Sequence, residues 1–341
     1  MSEIVGHDLP INSFLSAMQG ERLHHAWLLI GPEGVGKASV AMKLAKRMLS
    51  ISGDPTGLGS GLDVPEGHRI GALVDAFTHP DLKLLDRLPK DEKMREKDRR
   101  EWPDDVERAR SITVDQVRAL SATFSKTPSL SARRVVVIDA VDDMERSGAN
   151  ALLKNLEEPP AGTIFLLVSH APGRLLPTIR SRCRTLRFGR LNDQDMRVAL
   201  RRAMPEADHN EITALIAAGE GAPGRALSFA GLDIAGIDAA LARLAQTGDP
   251  TNAERAALAQ KLSIKSAQPR YEAFLTRAPA FIAANARTRQ GDALGQAIAQ
   301  WEAAKNLVQS ARRTSLDTQN VVFAVAGLVA GLAPEANRAK A

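Results

Sequence analysis

Short apolar runs alternate with helical patterns in the first half of the chain. Three continuous apolar runs have the length of strands buried on both faces: Ala26–Ile30, Val135–Ile138 and Ile164–Val168. Apolar residues recur with helical spacing over Ala38–Leu49, and a second helix is predicted over Gly148–Leu156. Because strands and helices alternate in this way, we predict an α/β domain with a parallel sheet over residues 1–190.

Residues 50–110 interrupt this alternation. Ser52–Gly61 is rich in Gly, Ser and Pro, and Lys90–Arg110 is dense in charges of both signs. A charge run such as Lys93–Glu101 is most often a solvated helix face, with nucleic-acid binding as the alternative. We therefore predict a surface insertion, followed by a helix at about Val114–Thr123.

The second half of the chain lacks strand patterns. Asp193–Met204 and Asn210–Ala218 have helical spacing, and a break at Gly219–Gly224 precedes another helical stretch. The remainder is rich in alanine and helical in pattern. We predict a small helical domain over residues 191–235 and a larger all-helical domain over residues 236–341.

The composition indicates a soluble globular protein, with 44% hydrophobic and 25% charged residues among 341. The longest apolar stretch, Val321–Ala333, is too short to span a membrane and predicts a buried helix. Cys183 is the only cysteine, which excludes an internal disulfide and a cysteine zinc cluster. We expect a cytoplasmic protein without membrane contact; its net charge of +5 permits nucleic-acid contact but does not argue for it.

A phosphate-binding loop follows the first apolar run. Its pattern G-x-x-x-x-G-K-[ST] is matched at every position but the last, where Ala38 stands. The matching and supporting residues are Gly31, Gly34, Gly36 and Lys37. The glycines allow backbone N–H groups to face phosphates, and the lysine neutralises phosphate oxygens. The missing hydroxyl would hold Mg²⁺, and Ser39 is rotated by roughly 100° from that position on a helix.

The second apolar run ends in an acid, Asp139, followed by Ala140. Asp139 stands where a carboxylate would hold a metal through water, or it caps the following turn; both interpretations stay open. An ATPase with an acidic pair at this place would carry a carboxylate at the second position to orient the attacking water. With methyl groups at Ala38 and Ala140, we expect no hydrolysis, and nucleotide binding without tight Mg²⁺ stays open.

Together these stretches resemble the clamp-loader branch of the AAA+ ATPases over roughly Ile4–Ala230. The matching blocks are Ile4–His7, His24–Trp27, Gly31–Lys37, Asn150–Pro160 and Ser181–Cys183. The resemblance implies a P-loop α/β AAA+ module with a parallel sheet, then a helical lid and an all-α C-terminal collar for oligomerisation. It also implies that Arg182 acts as an arginine finger in trans, on ATP held by a neighbouring subunit, and that Arg225 belongs to the degenerate nucleotide site.

The resemblance further implies a subunit of DNA polymerase III that does not hydrolyse ATP. The holoenzyme of which it would be a part is a DNA-directed DNA polymerase, a nucleotidyltransferase. The subunit's expected partners are the gamma or tau motor subunits and the delta subunit in a hetero-pentameric ring, and through it the sliding clamp and primed DNA. No cofactor is required and no metal or zinc is expected; ATP or ADP bound without hydrolysis stays open. Two alternatives are an active motor ATPase, which Ala38 and Ala140 oppose, and a DNA-binding module using the arginines of residues 180–190.

Overall fold

The first half of the chain contains one five-stranded parallel sheet. The structure is a computed structural model that describes residues 4–20, 22–103, 106–314 and 316–334. The strands are β1 Ala26–Ile30, β2 Leu82–Asp86, β3 Arg134–Asp139, β4 Thr163–Ser169 and β5 Arg184–Arg187. Their order across the sheet is β2-β3-β4-β1-β5, and every neighbouring pair is parallel. The predicted parallel α/β sheet is thereby confirmed.

Fifteen α-helices lie among the described residues. They are α1 Asp8–Gln19, α2 Lys37–Gly53, α3 Arg69–Asp75, α4 Glu92–Arg95, α5 Val114–Ala122, α6 Arg146–Glu157, α7 Pro177–Ser181, α8 Asp193–Ala203, α9 His209–Gly219, α10 Pro223–Leu227, α11 Ile234–Thr247, α12 Ala253–Ser263, α13 Gln268–Ala286, α14 Gly291–Arg313 and α15 Thr318–Ala330. The helices predicted around residues 38–49, 114–123 and 148–156 correspond to α2, α5 and α6 with small shifts of their ends.

Successive strand residues face opposite sides of the sheet, and both sides are buried. On one side Trp27, Leu29 and Val137 pack in a cluster with Leu44 and Met48 of α2. On the other side the alternate residues of the same strands pack against α5 and α6; this second cluster includes Leu28, Val136, Phe165, Val117 and Leu152. Burial on both sides explains why β1, β3 and β4 appear as uninterrupted apolar runs.

Two strands were not predicted, and both are edge strands of the sheet. β2 lies inside residues 50–110, so this segment is not only a surface insertion: its Leu82–Asp86 part completes the sheet beside β3. β5 has a single buried side chain, Leu186. An edge strand needs fewer apolar residues than a central one, so neither produces the apolar run that marked the other three.

The charged part of the insertion is ordered by contacts with the end of β2. Asp86 accepts hydrogen bonds from Arg99 at 3.1 Å and Arg108 at 3.0 Å. The Arg99 guanidinium also lies 4.7 Å from the ring centroid of Trp102. The predicted solvated helix is reduced to the four residues of α4. Much of this charge therefore forms ion pairs within the chain.

The chain divides into two compact units. One comprises Met1–Arg202 with Gly221–Gly224, and the other Ala203–Glu220 with Arg225–Ala341. Residues 1–3, 21, 104–105, 315 and 335–341, which fall in our predicted domains, lie outside the described residues. The division into α/β domain, lid and collar remains a prediction.

The second unit is helical throughout its described part. α15 is its central helix, in contact with α11, α12, α13 and α14. Its buried side chains include Val322, Val325 and Val329, as predicted from the apolar stretch there. A bidentate ion pair joins Arg277 of α13 to Asp238 of α11, with N–O distances of 2.9 and 2.7 Å. No helix among the described residues combines the length and apolarity that crossing a membrane requires.

Candidate nucleotide-binding site

The predicted phosphate loop connects β1 to α2. Gly34 and Gly36 have φ angles of +78° and +103°, which side chains other than glycine rarely tolerate. A Cβ on Gly31 would lie 2.2 Å from the carbonyl oxygen of Phe188, so only glycine fits there. The loop opens directly into the N-terminus of α2, where unpaired N–H groups and the helix dipole favour an anion. Its backbone therefore suits a phosphate group.

Lys37 lies inside this loop and is 2% exposed. Its Nζ donates hydrogen bonds to the carbonyl oxygens of Gly31 at 2.7 Å and Pro32 at 2.5 Å. Burial lowers the pKa of Lys37 to about 8, although the nearby charges of Asp139 and Glu33 act to raise it. The ammonium group is thus held by its own loop, where it can also neutralise phosphate oxygens.

Asp139 ends β3 beside the loop and is half-buried. Burial raises the pKa of its carboxyl, while the charges of His170 and Lys37 act to lower it. Within the described residues the Asp139 carboxylate accepts no hydrogen bond, so the turn-capping role left open above is not formed. The neighbouring Asp142 instead accepts hydrogen bonds from the end of β4, including one of 2.9 Å from Ser169 Oγ.

The groups that hydrolysis would need are replaced by methyls. Ala38 is half-buried at the start of α2, Ala140 is 2% exposed, and the Ser39 side chain is exposed. Among the described residues, no cluster of His, Cys, Asp and Glu is arranged to hold a metal ion. The loop thus offers a phosphate cradle without the hydroxyl and carboxylate that Mg²⁺ and the attacking water would use.

Cys183, the single cysteine, lies outside this loop. Burial raises the pKa of Cys183 to about 12, which keeps its thiol protonated.

Two contacts to the loop were missed from the sequence. The His7 ring donates a hydrogen bond from Nε2 to the carbonyl oxygen of Val35 at 2.8 Å. Gly224 N–H donates to the carbonyl oxygen of Gly34, also at 2.8 Å. A Cβ on Gly224 would approach Gly34 Cα and O to 3.1 Å. The glycines of the break at residues 219–224 were the signal for this close approach, which the periodicity analysis treated only as a helix end.

Arg225 belongs to the second unit, and its described ion pair lies within that unit. Its Nη1 is 3.2 Å from Glu220 Oε2. Its side chain is only about a quarter exposed, at 27%. The predicted role of Arg225 in nucleotide binding remains a prediction.

Arg182 lies near the amino ends of the strands, which form the amino edge of the sheet, whereas the phosphate loop lies at their carboxyl ends, the carboxyl edge. It follows α7 and precedes β5, whose first residue, Arg184, pairs with Trp27 near the start of β1. The phosphate loop begins after the other end of β1, about 13 Å away at 3.3 Å per residue. An arginine side chain cannot cross that distance, so Arg182 does not reach the phosphate loop of its own chain.

The Arg182 guanidinium is bound by oxygen atoms near the chain surface. Its Nη2 forms an ion pair of 2.6 Å with Oε1 of Glu157, the last residue of α6. Its Nη1 donates to the carbonyl oxygen of Thr178 at 3.0 Å. The side chain is 32% exposed and that of Glu157 is 47% exposed. The guanidinium is therefore held in place by a weak, solvent-accessible ion pair.

A parallel sheet whose strand leads through a glycine-rich loop and a lysine into a helix defines a P-loop nucleotide-binding fold. The family model described as DNA polymerase III, delta subunit, matches residues 6–192, which is more than half of the chain. The chain therefore belongs to this family, and its most similar relatives include delta prime subunits. This membership confirms the resemblance to bacterial clamp-loader subunits.

Two delta prime subunits illustrate this similarity. The subunit of Pseudomonas aeruginosa is 38% identical over 49% of this chain and 44% of its own length. That of Bacillus subtilis is 32% identical over 57% of this chain and 54% of its own length. The chain thus spans about half the length of these relatives. The crystal structure of a DNA polymerase III gamma subunit-related protein of Thermotoga maritima aligns with 94% of this chain and 98% of the Thermotoga chain. The identity is 16% and the TM-score is 0.43.

Proposed function

We propose that this chain is a clamp-loader subunit of DNA polymerase III that does not hydrolyse ATP itself. In this role it braces a ring of subunits and supplies Arg182 in trans to the ATP of a neighbouring motor subunit. The guanidinium suits this task because its fixed fork of donors can bind phosphate oxygens as charge develops on them. The neighbour, not this chain, holds the reacting nucleotide.

The separation of Arg182 from the phosphate loop carries this proposal. Arg182 precedes the amino end of β5, whereas Gly31–Lys37 follow the carboxyl end of β1. It therefore cannot reach a nucleotide bound by its own chain but is available to another subunit. Its partner Glu157 is half exposed, so exchanging this ion pair for a phosphate contact costs little. These two features support an action between subunits.

The chain's own phosphate loop is proposed to bind ATP or ADP without turning it over. Gly34, Gly36 and Lys37 retain the geometry that holds phosphates. Ala38 and Ala140 supply neither a metal ligand nor a group to orient water. Lys37 and Asp139 would then serve nucleotide binding or the stability of the fold, and Arg225 would bind the nucleotide as well.

The proposed partners follow from the family. Relatives of the chain include DNA polymerase III subunit tau of Escherichia coli, 29% identical over 70% of this chain and 33% of its own length. We propose a hetero-pentameric ring with gamma or tau and delta subunits, joined through the collar of residues 236–341 and acting in the cytoplasm. The assembled ring, rather than this chain by itself, would bind the sliding clamp and primed DNA.

ATP turnover by the purified chain tests the non-hydrolysing role. We expect no Mg²⁺-dependent phosphate release above background, with or without primed DNA and clamp, because Ala38 and Ala140 lack the catalytic groups. A Lys37→Ala variant serves as the matched control for contaminating ATPases, and it should give the same background. Turnover by the wild type that disappears in Lys37→Ala would identify an active motor and overturn the proposal.

A further inference from the structure

A cavity of about 460 Å³ lies between α1, the end of α2 and the segment around residues 59–60. Arg133, immediately before β3, also lines it. Because Arg133 precedes its strand, the cavity is at the amino edge of the sheet, whereas the phosphate loop follows the carboxyl end of β1. The cavity is therefore separate from the candidate nucleotide site.

Arg47 is the buried cation of this cavity and is 4% exposed. It donates from Nη1 to the carbonyl oxygen of Asp63 at 3.3 Å and from Nη2 to that of Gly59. Its Nε is buried and makes no hydrogen bond within the described part of the chain. Burial lowers the pKa of Arg47, and no carboxylate acts against that shift. A buried guanidinium held only by neutral carbonyls lacks a counter-charge.

Arg133 supplies a second cation to the same cavity. It is half-buried and, among the described residues, makes neither a hydrogen bond nor an ion pair. The next residue, Arg134, contrasts with it: its Nη2 donates to the carbonyl oxygen of Lys126 at 2.6 Å, and its guanidinium lies over the Phe124 ring. The fold thus satisfies one arginine of the pair and leaves the other facing the cavity.

A second cavity of this unit has a lining whose charges are balanced. It is about 490 Å³ and contains Lys43 and Lys46, which form ion pairs of 2.8 and 2.6 Å with Asp63 and Asp75. By contrast, no Asp or Glu of the described chain lines the cavity of Arg47 and Arg133. The positive charge there is therefore not compensated by the lining.

The remaining wall is mostly apolar. Leu15, Met18, Met48 and Ile51 line it, and the two methionines can adapt their shape to a bound group. Gln19, Ser52 and Ser60 add a few polar groups. Cavities of this size with an apolar wall and a few placed polar groups are typical of small-ligand sites.

We propose that this cavity binds an organic carboxylate carrying an apolar body, with the carboxylate between Arg133 and Arg47. The two guanidinium groups supply the charge that the carboxylate needs, and the apolar body packs on the leucine, isoleucine and methionine side chains. Such a carboxylate comes either from a free small acid or from the C-terminal residue of another chain. The recognised chemistry is the same for both sources.

Binding of hexanoate to the purified full-length chain tests this site. Titration followed by calorimetry or by NMR shifts should give a Kd on the order of 1 mM, as expected for so small a ligand. Hexanamide has the same body without the charge, and acetate has the charge without the body. We expect each to bind about tenfold more weakly than hexanoate or worse.

The Arg133→Gln variant is the decisive one, because Arg133 is half exposed and holds no other group. It should weaken hexanoate binding about tenfold, while its control, Arg118→Gln on α5, leaves binding unchanged. N-acetyl-leucine mimics a chain end: tighter binding than hexanoate assigns the site to a C-terminus, and weaker binding assigns it to a free acid. The proposal is overturned if hexanoate does not bind, if hexanamide binds as tightly, or if Arg133→Gln has no effect.

Discussion

Lys37 and Arg182 are both cations held by oxygen atoms of this chain, but they are held differently. Lys37 is buried, and two loop carbonyls bind its ammonium group. Arg182 is a third exposed and is bound by the carboxylate of Glu157 and one carbonyl. The first arrangement favours an ammonium group that stays inside the phosphate loop. The second favours a guanidinium that can exchange Glu157 for a phosphate outside the chain.

The burial of Lys37 predicts a specific pH dependence. Its folded-state pKa of about 8 lies below the usual 10.5, so the unfolded chain binds more protons between these values. The free energy of unfolding of the wild type should therefore rise relative to Lys37→Met as the pH increases from 8 to about 10. Denaturant unfolding of both proteins at pH 7, 8, 9 and 10 measures this difference. Parallel pH profiles would show that Lys37 is not held as described.

At the scale of elements, the three central strands were predictable and the two edge strands were not. β1, β3 and β4 are buried on both sides, so nearly every residue is apolar. β2 and β5 have polar positions that the alternation analysis could not separate from loops. Helices α2, α5 and α6 were predictable because one face of each packs on the sheet.

The candidate site, like the sheet, was only partly predictable from the sequence. The phosphate loop and its missing hydroxyl follow from the local pattern, since consecutive residues form the loop. The contacts of His7 and Gly224 with this loop depend on chain segments distant in sequence, which periodicity does not bring together. The pairing of Arg182 with Glu157 was missed for the same reason.

Asp81 fixes the approach to β2 and offers a test at this scale. Its buried carboxylate accepts hydrogen bonds from the backbone N–H groups of residues 129, 130 and 131 at 2.8, 2.8 and 2.9 Å. Burial raises the pKa of Asp81, but these bonds outweigh it and hold the pKa below 3.8. The carboxylate thus stabilises the fold above pH 3.8, and this contribution is lost as the pH falls through the lower folded-state value.

Replacing Asp81 by Asn should lower the free energy of unfolding by about 1–3 kcal/mol at pH 7, because an amide cannot accept all three bonds equally well. The matched control is Asp115→Asn on α5, whose side chain is 85% exposed and should change stability by less than about 0.5 kcal/mol. Urea unfolding at pH 7 compares the two variants. Equal effects of both substitutions would contradict the role given to Asp81.

At the scale of the whole molecule, the features of the first unit are divided between two edges of one sheet. The carboxyl edge carries the phosphate loop with its missing catalytic groups. The amino edge carries Arg182 and, at another strand, the cavity of Arg47 and Arg133. The proposed action of Arg182 on a neighbouring subunit therefore does not depend on this chain's own phosphate loop, because the two lie at opposite ends of the strands.

The most direct test is ATP turnover by a clamp loader reconstituted with gamma or tau and delta subunits and either wild-type chain or its Arg182→Ala variant. We predict that the variant assembles normally but lowers turnover by about tenfold or more, because the neighbour's transition state loses its guanidinium. Arg180→Ala, an exposed arginine two residues away, is the control and should leave turnover unchanged. Turnover by the Arg182→Ala complex equal to that of the wild type, with assembly intact, would contradict the account.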